Sequence, residues 1–342
     1  MIGDDFTGPH PWWFTFLYAL LNAPLGVGNL LFVCVTAGLP TFLIVYVLGK
    51  PLIARLRRAE AQQTAYEDAP ETHRAKTGTP TMGGLLFAVA PLIALVLDHT
   101  RDTVALAALV FMCMGIGAVD DLAKIRGARN RGLGALPKLG LTVVAAVVFL
   151  SLAGQQSGSL VGIGSIPNWL WYVLAVSAVV GTTHAVNLTD GLDGLAGGVA
   201  IPPLVVLICI AGLTQQPLGV SLFGASMLGA VAGFLFYNQY PAKLFMGDTG
   251  SLALGGALAG VAILDGAQLL LIVIGGVFVA EALSVILQVA SFKLTGRRIF
   301  RMSPLHHHFE LEGWPEQRVT KRFWIASLVL SLVGFALIVR PA

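Results

Sequence analysis

Five aspartates stand at the ends of long apolar runs: Asp120 and Asp121 in GAVDDLAK, Asp190 and Asp193 in NLTDGLDGL, and Asp248 in FMGDTGS. A carboxylate at such a place costs free energy unless it faces water, a cation or a partner. One such Asp is more often a helix cap or a solvated loop charge. Five of them, interleaved with glycines and amides, predict a shared site on one side of a membrane. The chemistry that site suits is a divalent metal with a phosphorylated substrate.

The three clusters differ in what they offer. In DDLAK, Lys124 lies three and four residues after the acids, on their helix face, so it can pair with one carboxylate while the other looks into a site. Adjacent carboxylates repel, which favours a bound cation or a raised pKa on one member. Asn187, Asp190 and Asp193 recur every third residue. If the stretch is helical, they form a slanting polar stripe, and Gly191, Gly194, Gly197 and Gly198 let a ligand or backbone approach. Carboxylate and amide oxygens suit Mg2+ and equally suit the donor groups of uracil or ribose. Asp248 stands between Gly247 and Gly250 with the hydroxyls of Thr249 and Ser251, a setting that fits an N-cap and a metal ligand alike. Phe245 could stack on a base or simply anchor at an interface.

Three further segments carry candidate groups. PLHHHFE (304–310) holds His306, His307 and His308. Consecutive histidines lack the helical or loop spacing of a zinc site, and contact of one or two with phosphate is the expectation. HRAKTGTPTMGG (73–84) offers Lys76, Thr79 and Thr81 to an anionic group. It is neither a P-loop nor a dinucleotide-binding fingerprint. Glu281 lies inside an apolar run with Ser284 and Gln288 at i+3 and i+7, and is read as functional or as part of a polar seam between helices.

These groups need elements to place them. The chain has 342 residues, 56% hydrophobic and 11% charged, with mean hydropathy +0.80. A soluble domain carries about 25% charge, so the composition is that of an integral membrane protein. Ten spans are expected, near 28–49, 82–98, 102–119, 138–154, 168–186, 197–213, 219–238, 251–265, 267–291 and 323–340. The aromatic stretch 11–24 reads as an interfacial helix. The Gly- and Ser-rich stretch 155–167 reads as a surface loop or small hairpin. Cys34, Cys113 and Cys209 each fall within an apolar run and read as packing residues. The first basic residue is Lys50, so a cleaved signal peptide is not expected.

Of the 21 Lys and Arg, 19 fall in segments 50–81, 120–138, 239–250 and 292–322; only Arg101 and Arg340 fall on the other side. By the positive-inside rule those segments are cytoplasmic, all five aspartates lie with them, and both termini face outward. The expectation is an all-α polytopic membrane protein forming one transmembrane domain over 1–342.

The motifs KTGTPTMGG (76–84), DDLAK (120–124), NLTDGLDGLAGG (187–198), FMGDTGSLALGG (245–256) and PLHHHFE (304–310) together resemble the phospho-N-acetylmuramoyl-pentapeptide transferases of bacterial cell-wall synthesis. The acidic motifs are shared with the wider polyprenyl-phosphate sugar-1-phosphate transferase superfamily; PTMGG and HHHFE point to the muramoyl branch. The resemblance implies ten transmembrane helices in the inner (cytoplasmic) membrane, a homodimer, and an active site on the cytoplasmic face. It implies UDP-MurNAc-pentapeptide and undecaprenyl phosphate as substrates, lipid I and UMP as products, Mg2+ as cofactor, and no nucleic-acid partner. Carried onto this chain, it implies Asp120, Asp121 and Asp248 as catalytic residues with Asp248 as the Mg2+ ligand. It implies a substrate surface of Lys76, Thr81, Lys124, Lys138, Asn187, Asp190, Asp193, Phe245, Gln288, His307 and His308. In GLGALPKLG (132–140) the chain departs from the family, which more often shows a Ser and a basic residue before Lys138, so the role of Lys138 is open.

The mechanism this implies is direct attack by the lipid phosphate. Asp248 would hold Mg2+ on the pyrophosphate, Asp120 would deprotonate or orient the lipid phosphate, and Asp121 would hold Lys124 or a metal-bound water. The rival is a phospho-aspartyl intermediate, through Asp248. Two other functions compete: a sister enzyme moving GlcNAc-1-phosphate, and a transporter of a phosphorylated solute. Acids gathered at one face rather than at the midplane disfavour the transporter.

Overall fold

The computed structural model describes residues 27–59, 78–126, 132–154, 158–214 and 216–339. The segment 60–77, Lys76 with it, and the stretch 11–24 lie outside the described residues.

The described chain is a bundle of helices. α1 (Val27–Val33) passes through a π turn (Cys34–Gly38) into α2 (Leu39–Arg58). A 3-10 turn (Gly83–Ala88) leads into α3 (Val89–Leu97), followed by α4 (Arg101–Arg126) and α5 (Ala135–Ala153). A two-residue hairpin pairs β1 (Ser159–Leu160) with β2 (Gly164–Ser165), the small hairpin expected from the Gly- and Ser-rich composition there. Then come α6 (Asn168–Thr189), α7 (Leu195–Leu213), α8 (Leu218–Asn238) and α9 (Gly247–Leu264). The short α10 (Leu271–Ile274) precedes α11 (Gly276–Thr295), α12 (Leu305–Leu311) and α13 (Glu316–Val339).

Among the described residues nine helices are long and apolar enough to cross a membrane, which makes this an all-α polytopic membrane protein. Every expected span coincides with a helix. The second, at 82–98, is the exception in length: its apolar helix runs only from Gly83 to Leu97, and the first six of those residues wind as a 3-10 turn. The ninth is broken, with α10 and α11 separated at Gly275. α4 runs several residues past the expected end at 119 and carries Asp120, Asp121 and Lys124 on its last turns.

α9 is the hub. Of its apolar stretch 94% is buried in protein, against 22% for α11 and for α13. Glycine makes the close wrapping possible. A Cβ on Gly117 of α4 would stand 2.1 Å from the carbonyl oxygen of Asp248, and one on Gly84 would stand 2.0 Å from the Cα of Gly250. Small residues at such crossings let helix backbones meet where lipid offers no hydrophobic drive between helices. The core around this hub is large and apolar, with Phe87, Phe149, Trp171, Phe223 and Phe234 fully buried.

Two extended strips meet beside the start of α9. Phe245 N donates to Pro80 O at 2.8 Å, Gly83 N to Phe245 O at 2.8 Å, and Gly84 N to Met246 O at 2.9 Å. This pairing lays the PTMGG segment along the approach to Asp248. It uses a left-handed backbone at Met82, φ +67°.

Candidate active site

The end of α4, the start of α5, the end of α6 and the start of α9 converge on one point. Asp120, Asp121 and Asp248 are all buried, and an oxygen of each lies within 4.8 Å of the others. Two lysines thread between them. Lys124 Nζ is 2.7 Å from Asp120 Oδ2 and 2.9 Å from Asp248 Oδ1. Lys138 Nζ is 3.0 Å from Asp120 Oδ1 and 2.5 Å from Asp248 Oδ2. The result is a four-membered ring of alternating charge built from three helices. Helical spacing alone paired Lys124 with an acid of its own helix; the structure adds Asp248, 124 residues away. Lys138, whose role the sequence left open, closes the ring.

Asp121 stands outside the ring. Its oxygens accept from the backbone amides of Asp248 (3.1 Å) and Thr249 (2.9 Å) and from the Thr249 hydroxyl (2.6 Å). It therefore satisfies the orphan N–H groups at the start of α9, as an N-cap does, but from another helix. The expectation that Asp121 would hold Lys124 is corrected here: Lys124 turns to Asp120 and Asp248, because Asp121 is bound to α9. Asp248 itself is not the cap of α9; it sits within its first turn.

Asn187 donates from Nδ2 to Asp248 Oδ1 at 3.1 Å and to Ser251 Oγ at 2.8 Å. The helical stripe through Asn187, Asp190 and Asp193 is not formed. α6 stops at Thr189, Asp190 leaves helical geometry (φ −79°, ψ 54°), and Gly194 adopts a left-handed turn at φ +73° before α7 begins. Asp190 stays close enough to feel the others. Burial first, then the negative charges of Asp248 and Asp121, push its carboxyl up to about 8. Asp193 turns away to brace the scaffold: it accepts from Ala242 N at 2.8 Å, and its own amide donates to Glu316 Oε1 at 2.7 Å.

The remaining candidates lie on the paired strips before α9 and on α11 and α12. Thr81 is buried, its hydroxyl 2.9 Å from where a Cβ on Gly247 would stand. Phe245 is half-buried on the paired strips beside it. His307 Nδ1 contacts Glu310 Oε2 at 2.8 Å, and His308 Nδ1 accepts from Arg301 N at 3.3 Å. His306 is the buried member, its Nδ1 3.1 Å from Glu281 Oε1. That contact shows what Glu281 does within its span: it ties α12 to α11. Gln288 accepts from the amides of Ile299 and Phe300 and donates to Phe300 O, all at 2.9 Å, so its amide shapes the loop before the histidines.

Sequence reasoning missed Asn238, which accepts from Gly194 N at 3.1 Å and donates to Leu244 O at 3.0 Å. It also missed Glu316 as a bracket of the site and named Thr249 only as a hydroxyl beside Asp248, without its bonds to Asp121. An amide at a helix end is the only signal Asn238 carries.

The arrangement fits a divalent cation. Its donors are hard oxygens, as Mg2+ or a similar ion prefers. Asp120 Oδ2 is buried and, although near Lys124, takes no well-aligned hydrogen bond, so a lone pair is free for an ion. Three carboxylates against two ammoniums leave one negative charge to be met. Asp120, Asp121 and Asp248 are the group that could hold the ion.

Residues 103–266 match the family model described as glycosyl transferase family 4. The chain is 45% identical over 309 residues to the phospho-N-acetylmuramoyl-pentapeptide-transferase of Desulforamulus reducens, covering 86% of this chain and 92% of that protein. It is 47% identical over 304 residues to the protein of the same name from Heliobacterium modesticaldum, covering 85% and 93%. With that of Bacillus thuringiensis it shares 45% over 312 residues, covering 88% and 96%.

Proposed function

Because this chain belongs to the phospho-N-acetylmuramoyl-pentapeptide transferase family, we propose that its site moves phospho-MurNAc-pentapeptide from UDP-MurNAc-pentapeptide to undecaprenyl phosphate. The products are lipid I, for peptidoglycan synthesis, and UMP. The observation that carries the chemistry is the buried ring of Asp120, Lys124, Asp248 and Lys138 at the end of membrane-crossing helices. A soluble anionic nucleotide and a bilayer-anchored phosphate can meet only at such a boundary. The positive-inside count supports a cytoplasmic face for it in the inner membrane, with Gly83–Leu97 as the second of ten crossings and both termini outside.

The reaction exchanges one phosphoanhydride for another, so no ATP is needed. An oxygen of the lipid phosphate bonds to the sugar-bearing phosphorus. The bond from that phosphorus to the bridging oxygen breaks, and the bridging oxygen leaves on UMP. The barrier is charge repulsion and positioning. Bound Mg2+, on Asp248 with Asp120 beside it, would supply Lewis-acid neutralisation of the pyrophosphate. Lys124 and Lys138 offer ammonium hydrogens to phosphate oxygens on either side of the reacting phosphorus. Asp120 has both oxygens turned to cations, so its part is to orient the two lysines rather than to take a proton. Asn187 fixes the rotamer of Asp248, and Asp121 holds the backbone that carries it.

The donor side takes in Thr81, Asp190, Phe245, His307 and His308, with Lys76, outside the described residues, carried over from the family's motif; Asp193 serves it by bracing the loop. For the tail of the acceptor, a cavity of about 300 Å3 lies between α6 and α11, lined by apolar groups such as Leu174, Leu258, Phe278 and Leu283.

The test is UMP release from UDP-MurNAc-pentapeptide by purified protein with undecaprenyl phosphate, with and without Mg2+. Release from UDP-GlcNAc instead would assign the sister activity, and no release from either would refute the transferase reading. Direct attack has its own check. Phosphorylated enzyme accumulating stoichiometrically from donor alone would replace it with a covalent aspartyl route.

A further inference from the structure

α6 carries a second polar side chain on the face that bears Asn187. Positions 184 and 187 are three apart and share that face. Asn187 reaches Asp248 from it. His184 lies about 4.5 Å further back along the helix, toward the middle of the span. It sits in the electrostatic field of Lys138 and Asp248. Its side chain is half-buried, and its Nε2 is fully buried with no hydrogen-bond partner among the described residues.

That isolation needs a reason. Buried imidazole nitrogens in folded proteins find partners; His307 and His308 each engage one, and His306 is held through Nδ1 by Glu281 although its Nε2 also lacks a partner. The charged groups whose field reaches His184 are already committed. Lys138 bridges Asp120 and Asp248, and Asn187 spans Asp248 and Ser251. What is missing is an acceptor atom that arrives with substrate on the bilayer side of the ring. The nucleotide comes from water. The lipid phosphate comes from the apolar side, where the cavity lined by Gly181, Thr182 and Ala185 flanks position 184 on α6.

We propose that His184 is an acceptor-binding residue: its Nε2–H donates a hydrogen bond to a non-bridging oxygen of the lipid phosphate and holds it beside Lys138. The proposal rests on the transferase reading above. His184 makes and breaks no covalent bond; it fixes the nucleophile that Lys138 also contacts.

The test compares His184→Ala and His184→Gln with the parent protein, varying undecaprenyl phosphate at saturating donor and the reverse. A hydrogen bond to a charged group is lost in the alanine variant, so its KM for undecaprenyl phosphate rises about tenfold or more, while its KM for UDP-MurNAc-pentapeptide stays within about twofold. The glutamine amide nitrogen reaches near the Nε2 position and recovers most of the loss. Binding of undecaprenyl phosphate without donor weakens in parallel. An unchanged acceptor KM in His184→Ala, an equal rise in both KM values, or no recovery by glutamine overturns the proposal. If the alanine variant does not fold, His184→Met, similar in length and without a donor, takes its place under the same criteria. Failure of the parent protein to release UMP would refute the transferase reading, a result distinct from any of these.

Discussion

Asp121 accepts two hydrogen bonds from Thr249, one from its backbone amide at 2.9 Å and one from its hydroxyl at 2.6 Å. The end of α4 thereby closes the start of α9, the helix that carries Asp248. Replacing Asp121 by alanine strands buried donors and should cost about 2–4 kcal/mol of stability. Turnover falls as well, because Asp248 loses its backbone support. Thermal unfolding in detergent and UMP release measure the two effects, and Asp121→Asn, which keeps one acceptor oxygen, should fall between.

Asp248→Asn is expected to separate chemistry from folding. Asp120 still faces both lysines in that variant, so the protein folds, and its melting temperature stays within a few degrees. Mg2+-dependent UMP release drops by about 10³ or more, the scale of losing an electrostatic group at a phosphoryl centre. Near-normal turnover would remove Asp248 from the role of metal ligand.

Lys138→Met takes one of the two ammoniums from the ring. Turnover falls by about 10². The site becomes more negative without it, so Mg2+ should bind the substrate-free variant more tightly than the parent. Calorimetric titration with Mg2+ reads this without any turnover. Weaker Mg2+ binding in the variant would contradict the charge argument.

Asp190 makes stability depend on pH. Burial and neighbouring carboxylates hold its carboxyl up at about 8, against an ordinary 3.8. The folded protein therefore keeps the proton more tightly than the unfolded chain does. Ionising Asp190 costs stability progressively as pH rises from about 4 to about 8, and the cost is complete above that. Asp190→Asn removes the cost. Measured in chelator, its melting temperature should match the parent at pH 4 and clearly exceed it at pH 8. Added Mg2+ favours the ionised carboxylate and should narrow the gap.

Gly117→Ala tests the seal between α4 and α9. A Cβ there would stand 2.1 Å from the Asp248 carbonyl oxygen, so the backbones must part. The expected loss is about 1–3 kcal/mol of stability, with turnover reduced by more than stability alone accounts for.

Hydropathy and the distribution of lysine and arginine made the helices legible, because membrane spans announce themselves by length and apolarity. Their fine ends were less legible. Nothing in the period of Asn187, Asp190 and Asp193 says that α6 stops at Thr189; a left-handed Gly194 and tertiary contacts decide that. The aspartates could be grouped by their equivalent positions, but their division of labour could not be read. Asp120 and Asp121 are adjacent in sequence and differ entirely in duty, one facing two lysines and the other capping a helix more than a hundred residues later. Lys138 shows the same limit from the other side. Its flanking sequence departs from the family, yet its place on the first turn of α5 delivers it to Asp248. Pairings over that distance leave no local pattern.

α9 is walled by other helices along nearly all of its length. Lipid molecules do not touch the segment that bears Asp248, so the thickness and fluidity of the bilayer act on it only through the surrounding ring. Changing the host membrane should thus alter how readily the fatty substrate is delivered, and how well the outer helices hold together, before it alters the rate of bond exchange once both substrates are seated.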